Sequence, residues 1–137
     1  MASRGHRVVR LWGCIAVVAT VLGGCATTQT APESGKPEDV VKARAQARWD
    51  AVVKEDFAAA YGYLSPGSRS VNSLEAYRIA VPKSFYKGAQ VEAVRCETPD
   101  TCEAQVRVEY EFKGARIKTP LAETWIRQEG NWWYVLK

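Results

Sequence analysis

Apolar positions recur every three or four residues between 37 and 80, and every second residue from Ser84 onward. The first spacing is that of helices with one buried face, and the second that of strands with one buried face. Val41, Ala45, Trp49, Val52 and Val53 predict a helix over about residues 37–54, with Pro37 at a favoured first position and Glu38 and Asp39 at the positive end of its dipole. Asp56 is placed to cap a second helix carrying Phe57, Ala60, Tyr61 and Leu64, and Ser65-Pro66-Gly67 is expected to stop it. Asn72 or Ser73 can cap a third short helix carrying Leu74, Tyr77 and Ile79, which should end near Pro82 because proline restricts the residue before it.

The strand rhythm is clearest where Ala104, Val106, Val108, Tyr110 and Phe112 alternate with Glu103, Gln105, Arg107, Glu109 and Glu111. A preceding strand over about residues 86–96 carries Val91 and Val94, and turn residues fill the loop from Glu97 to Thr101. Lys113-Gly114-Ala115 turns into a third strand running from about Ile117 to Gln128, and Glu129-Gly130-Asn131 turns into a last one, Trp132 to Leu136. Pro120 cannot donate to a ladder and implies an edge, a bulge or a bend. Arg107, Arg116, Lys118 and Arg127 alternate with Glu109, Glu111 and Glu123, which predicts a solvated face with cross-strand ion pairs and Glu123 pointing outward. The adjacent Trp132 and Trp133 must point to opposite faces, so with Trp132, Tyr134 and Leu136 as the inner set Trp133 meets solvent, covers a helix on the far side or contacts a partner. The fold class is α+β.

A different pattern precedes residue 37. Arg4, Arg7 and Arg10 lead into an apolar run from Leu11 to Leu22, which at about a dozen residues is too short to cross a bilayer at roughly 20 residues per span. The run closes on Leu22-Gly23-Gly24-Cys25, which resembles the lipobox of bacterial lipoproteins, where the cysteine is acylated and becomes the new N-terminus. That resemblance implies a signal peptide over residues 1–24, a lipidated tether over 25–36 and a domain over 37–137, with the membrane as partner through lipid on Cys25. Two or more acyl chains, each methylene worth about 0.8 kcal/mol, hold a small domain durably. Ala26 and the small residues after it, in place of an aspartate, resemble lipoproteins passed on to the periplasmic face of the outer membrane.

Maturation at Cys25 changes the chemistry available. The formal charge of +4 falls close to neutral once Arg4, Arg7 and Arg10 leave, which gives no case for nucleic acid as a partner. His6, the only histidine, leaves with them, and the commonest general base and metal ligand leave too. Cys14 lies in the signal and Cys25 carries lipid, so Cys96 and Cys102 remain as an even pair in an exported chain, the usual setting of a structural disulfide. No metal or cofactor is expected. For acid-base work only Asp50, Asp56, Tyr61, Tyr63 and Glu123 stand out, and Asp56 is better read as a cap, Asp50 as solvent-facing and Glu123 as outward. The chain is therefore read as no enzyme.

Trp49, the Lys54-Glu55-Asp56 break, Phe57 to Tyr61, Leu64-Ser65-Pro66, Arg69 and the terminal Glu129-Gly130-Asn131-Trp132-Trp133-Tyr134 resemble small exported members of the nuclear-transport-factor-2-like superfamily. The resemblance implies three N-terminal helices packed on a curved four-stranded antiparallel sheet, shaped as a cone around the first helix. Its members include isomerases, cyclases, ligand binders and assembly domains, so fold alone does not choose an activity. The density of Trp49, Tyr61, Trp125, Trp132 and Trp133 favours contact with a ligand or a partner. The expectation is an envelope lipoprotein with a non-catalytic binding or assembly domain, partnered by another envelope protein or by a small apolar ligand in the cone; an isomerase- or cyclase-like enzyme ranks below both.

Overall fold

The computed structural model describes residues 35–137. The signal segment, Cys25 and nearly all of the tether lie outside the described residues. Helix α1 spans Pro37–Val53, α2 Phe57–Gly62, α3 Pro66–Val71 and α4 Leu74–Ala80; strands follow as β1 Tyr86–Thr98, β2 Thr101–Phe112, β3 Ala115–Gln128 and β4 Asn131–Val135. The sheet is an antiparallel meander in the order β1-β2-β3-β4.

The architecture is α+β with a four-stranded antiparallel sheet, but the described residues hold four helices, not three. The additional helix is α3, where Ser65-Pro66-Gly67 was expected only to end α2. The Ser65 hydroxyl accepts from the Ser68 amide and Pro66 fills the first helical position, so the same residues that stop one helix start another. Asp56 and Ser73 cap α2 and α4 through the Ala59 and Ala76 amides. Ile79, expected on the apolar face of its helix, is 76% exposed, and Tyr77 alone in α4 is buried.

The core lies between α1 and the sheet. Val41, Ala45, Trp49 and Val52 from α1 meet Val91, Cys102, Ala104, Val106, Val108, Trp125 and Trp132, with Phe57, Ala60 and Leu64 closing one side. Along β2 the expected alternation holds from Cys102 to Val108 and then fades, and Phe112 is 53% exposed where the strand runs past the helices. Pro120 pairs in register with Arg107, and β4 reaches only Thr124 to Gln128, so Pro120 stands on a stretch of β3 that is locally an edge. Three register shifts interrupt β1, and bulges of this kind bend a strand and increase its twist.

Both outer edges of the sheet carry partners. On β1 the Gln46 side chain of α1 donates to the Ala89 carbonyl at 3.0 Å and accepts from the Val91 amide at 3.0 Å, taking the place of a neighbouring strand. On β4 the Tyr134 amide donates to the Tyr63 carbonyl, and its carbonyl accepts from the Ser65 amide, both at 2.8 Å. The Leu136 amide adds a bond to the Ser68 hydroxyl at 3.0 Å. Cys96 and Cys102 form a disulfide between directly paired positions of β1 and β2.

Candidate functional site: a cavity over a buried ion pair

Where α1, α4, β1, β3 and β4 converge, a cavity of about 230 Å³ is lined by Trp49, Val52, Tyr77, Tyr86, Leu121 and Tyr134 among others, with Arg48 and Glu123 as its only charged wall among the described residues. A second space of about 490 Å³, an open groove whose described lining residues are all uncharged, lies against Phe85, Val108, Tyr110, Phe112 and Thr119. Tyr86 and Leu121 line both spaces, so the two adjoin at that wall.

Arg48 and Glu123 form a buried salt bridge, 4% and 3% exposed. Glu123 was expected on the outer face. It points inward because residues two apart on a strand share a face, and Glu123 stands two before the fully buried Trp125. A carboxylate is tolerated there because most of its acceptor sites are filled: Oε1 takes the Arg48 guanidinium and the Trp49 indole at 2.8 Å, and Oε2 takes the Trp125 indole at 3.2 Å. Arg48 is held in turn between aromatic faces, its guanidinium carbon 4.7 Å from the Trp49 ring centre and 4.2 Å from that of Tyr134. Its Nη1 donates to the Tyr77 hydroxyl at 3.3 Å.

Desolvation works to lower the Arg48 pKa, but the Glu123 charge, with smaller help from Tyr77, Tyr134 and the Glu123 hydrogen bond, carries it above its ordinary value. Burial raises the Tyr77, Tyr86 and Tyr134 phenols, each against an opposing pull from Arg48. The cavity floor is therefore a charged pair that neutralises itself, surrounded by phenols held protonated.

Of the five aromatic residues singled out from the sequence, only Trp49 lines this cavity. Its ring meets Tyr86 edge-on at 5.1 Å. Tyr61 fastens the helical segment, donating to the Asn72 carbonyl at 2.6 Å. Trp125 and Trp132 are core residues. Trp133 is half-buried, as its opposition to Trp132 requires; it lies under Arg44 and Arg69 at 5.4 and 5.0 Å, and its indole donates to the Gln128 carbonyl. Asp50 is exposed and accepts from Gln46, and Asp56 is spent on its cap. The outer face carries the expected ion pairs, Arg107 with Glu92 and both Arg116 and Lys118 with Glu109. Among the described residues no group of histidine, cysteine, aspartate and glutamate is placed to hold a metal.

Arg48 is the functional residue that sequence reasoning passed over. A signal for it existed: Val41, Ala45, Arg48 and Val52 fall at helical spacing on the face that α1 buries, and an arginine within such a stripe needs an internal carboxylate.

No family model matches the chain, and no curated protein matches it. Solved structures do. A SEC-C motif containing protein from Rhodopseudomonas palustris superposes with a TM-score of 0.58 at 15% identity, over 69% of this chain and 73% of that one. A SEC-C motif containing protein from Psychrobacter arcticus superposes with a TM-score of 0.60 at 11% identity, over 75% of this chain and 62% of its own length. These neighbours overturn the expectation of a nuclear-transport-factor-2-like domain, and neither is described as a lipoprotein. That expectation leaned on the order of elements, helices and then a meander, and such an order does not discriminate among small α+β domains. At these identities the likeness is one of fold: over 69% to 75% of its length the chain adopts a fold similar to those of these two SEC-C motif containing proteins.

Proposed function

We propose that the chain is exported, acylated on Cys25 and held at the periplasmic face of the outer membrane, where residues 37–137 form a non-catalytic domain that binds a small, largely apolar molecule. The observation that carries the binding reading is the cavity between α1, α4 and the sheet, walled by Trp49, Val52, Tyr77, Tyr86, Leu121 and Tyr134. Concave, mostly apolar spaces with a few convergent polar groups are the usual form of small-molecule sites. Binding is preferred to catalysis because Glu123, the one carboxylate in the cavity wall, is already engaged by three donors. A small ligand is preferred to a partner protein on the sheet face because that face is laced with ion pairs and not apolar. The anchoring part is supported by the order of basic residues, short apolar run, small residues and cysteine from Arg4 to Cys25.

Two measurements test the two halves separately. Expressed in a Gram-negative host with a clickable palmitate analogue, the chain should take up label and sediment with membranes, and Cys25→Ser should abolish both; label retained by Cys25→Ser would refute acylation at that residue. For binding, titration of the purified domain with methylnaphthalene should quench the tryptophan emission saturably. A linear, non-saturating response would dismiss the cavity as a ligand site.

A further inference from the structure

Given the binding reading above, we infer that the cavity discriminates by charge and by hydrogen-bond polarity: it takes an uncharged molecule whose apolar body carries one accepting oxygen of carbonyl type, and it turns away carboxylates of the same shape. Three observations combine.

The first is charge. Among the described residues, Arg48 and Glu123 are the only charged ones lining the inner cavity, and each is the other's partner. An entering carboxylate would meet Glu123 with no cation left over to balance it, and an entering ammonium would meet Arg48 in the same way. Either would be a net charge buried without compensation, which low-dielectric surroundings penalise heavily.

The second is hydrogen-bond inventory. The Glu123 oxygens accept from Arg48, Trp49 and Trp125, so about three of the four acceptor positions of the floor carboxylate are taken. The donors are not. Arg48 Nε is buried and makes no hydrogen bond among the described residues. Tyr77 Oη accepts from Arg48 Nη1, which leaves the phenol proton to donate elsewhere, and Tyr134, a second phenol, lines the same wall. Spare donors beside a carboxylate that already has three partners favour a ligand that accepts over one that donates. A buried site built this way rejects a molecule lacking the matching group, because its own polar atoms would then stay unpaired.

The third is shape. The inner cavity of about 230 Å³ adjoins the second space of about 490 Å³ across Tyr86 and Leu121. In that second space Phe85 and Tyr110 stack with ring centres 4.8 Å apart and planes 16° from parallel, forming a flat wall. The oxygen of the ligand belongs at the Arg48 end of the inner cavity and its apolar body toward Val52, Tyr86 and Leu121, on the side of that second space.

The test uses acetylnaphthalene, methylnaphthalene and naphthoate as a matched set, titrated at neutral pH into the domain with its disulfide intact. The ketone should bind about tenfold more tightly than the hydrocarbon, the worth of a hydrogen bond to otherwise unpaired buried donors, and naphthoate should bind more weakly than either. The Tyr77→Phe and Tyr134→Phe double variant keeps both rings and should lower ketone affinity more than hydrocarbon affinity, so that the ratio of the two falls toward one. Leu121→Trp, at a partly exposed wall, should weaken all three. Equal affinities for ketone and hydrocarbon, or tighter binding of naphthoate, would overturn the selectivity while leaving the binding reading standing. If none of the three saturates, the binding reading falls and the selectivity falls with it.

Discussion

Arg48 and Glu123 show how one pair of side chains can organise a small core. Each is desolvated, and each is tolerated only because the other is present, with two indole N–H groups and two aromatic faces completing the shell. Removing one partner strands the other. Arg48→Met should destabilise the domain by about 3–5 kcal/mol, because it leaves a buried carboxylate unpaired, whereas the Arg48→Met and Glu123→Leu double variant should recover much of that loss. Urea unfolding of the single and double variants decides the matter, and additive effects would mean that the pair is not coupled. The alternation that correctly placed Val106 and Val108 inside misplaced Glu123, since it takes any charge as a mark of solvent. What reverses that reading is Arg48, 75 residues away in sequence, and no local pattern reports it.

At the scale of elements, the turns that join helix to strand are tied by side chains. Glu55 in the α1–α2 turn accepts from the Ser84 amide at 2.8 Å and its hydroxyl at 2.9 Å. Both residues hold left-handed backbone, φ 61° and 55°, which non-glycine residues seldom adopt and which this clasp helps to fix. The Ser84 hydroxyl and amide lower the Glu55 pKa below the ordinary carboxylate value. Its contribution to stability is therefore full above the unfolded-state pKa and lost as pH falls through the folded value. The stability difference between wild type and Glu55→Ala should accordingly be present at neutral pH and close on acidification, as followed by urea midpoints down the acid range; a pH-independent difference would show that the clasp acts through packing alone. The β1–β2 hairpin has a covalent tie in the Cys96–Cys102 disulfide, whose sequence separation is 6. Closing so short a loop is worth about 2–3 kcal/mol in the chain-entropy description. Thiol reduction, read by the shift in urea midpoint, should cost that amount without changing the ketone-to-hydrocarbon binding ratio, because neither cysteine lines the cavity.

At the scale of the whole molecule, Tyr77, Tyr86 and Tyr134 make the folded state sensitive to alkali. Burial lifts each phenol above its ordinary value, with Arg48 pulling the other way. Groups raised in the folded state contribute stability that is fully present below the unfolded pKa, about 10 for tyrosine, and lost as pH rises through the folded values. The unfolding free energy should thus fall above pH ~10, and Tyr134→Phe should soften the fall; identical alkaline limbs for the two proteins would contradict this assignment.

The same view explains what was legible. Helix α1, the meander and the disulfide follow from spacing and cysteine count, which are local or additive properties of the chain. The helix at Pro66 was hidden because Ser-Pro-Gly both ends and begins helices. The cavity was hidden because four of the five aromatics that suggested a site are used elsewhere, Trp125 and Trp132 in the core, Tyr61 as a fastener and Trp133 under arginines. The donors that define it, Arg48, Tyr77 and Tyr134, come together only through the packing of α1, α4 and β4.

The occupied sheet edges have a bearing on crowding. Copies of one chain gathered side by side on a surface meet at high local concentration, the condition under which bare strands of neighbouring molecules add to one another. Here the amide of Val91 and the backbone of Tyr134 are already spoken for, by Gln46 and by the Tyr63–Ser65 segment. Gln46→Ala, which bares that part of the β1 edge, should therefore associate more readily than the wild-type domain when both are concentrated, as read by light scattering; equal scattering would show that Gln46 does not guard the edge.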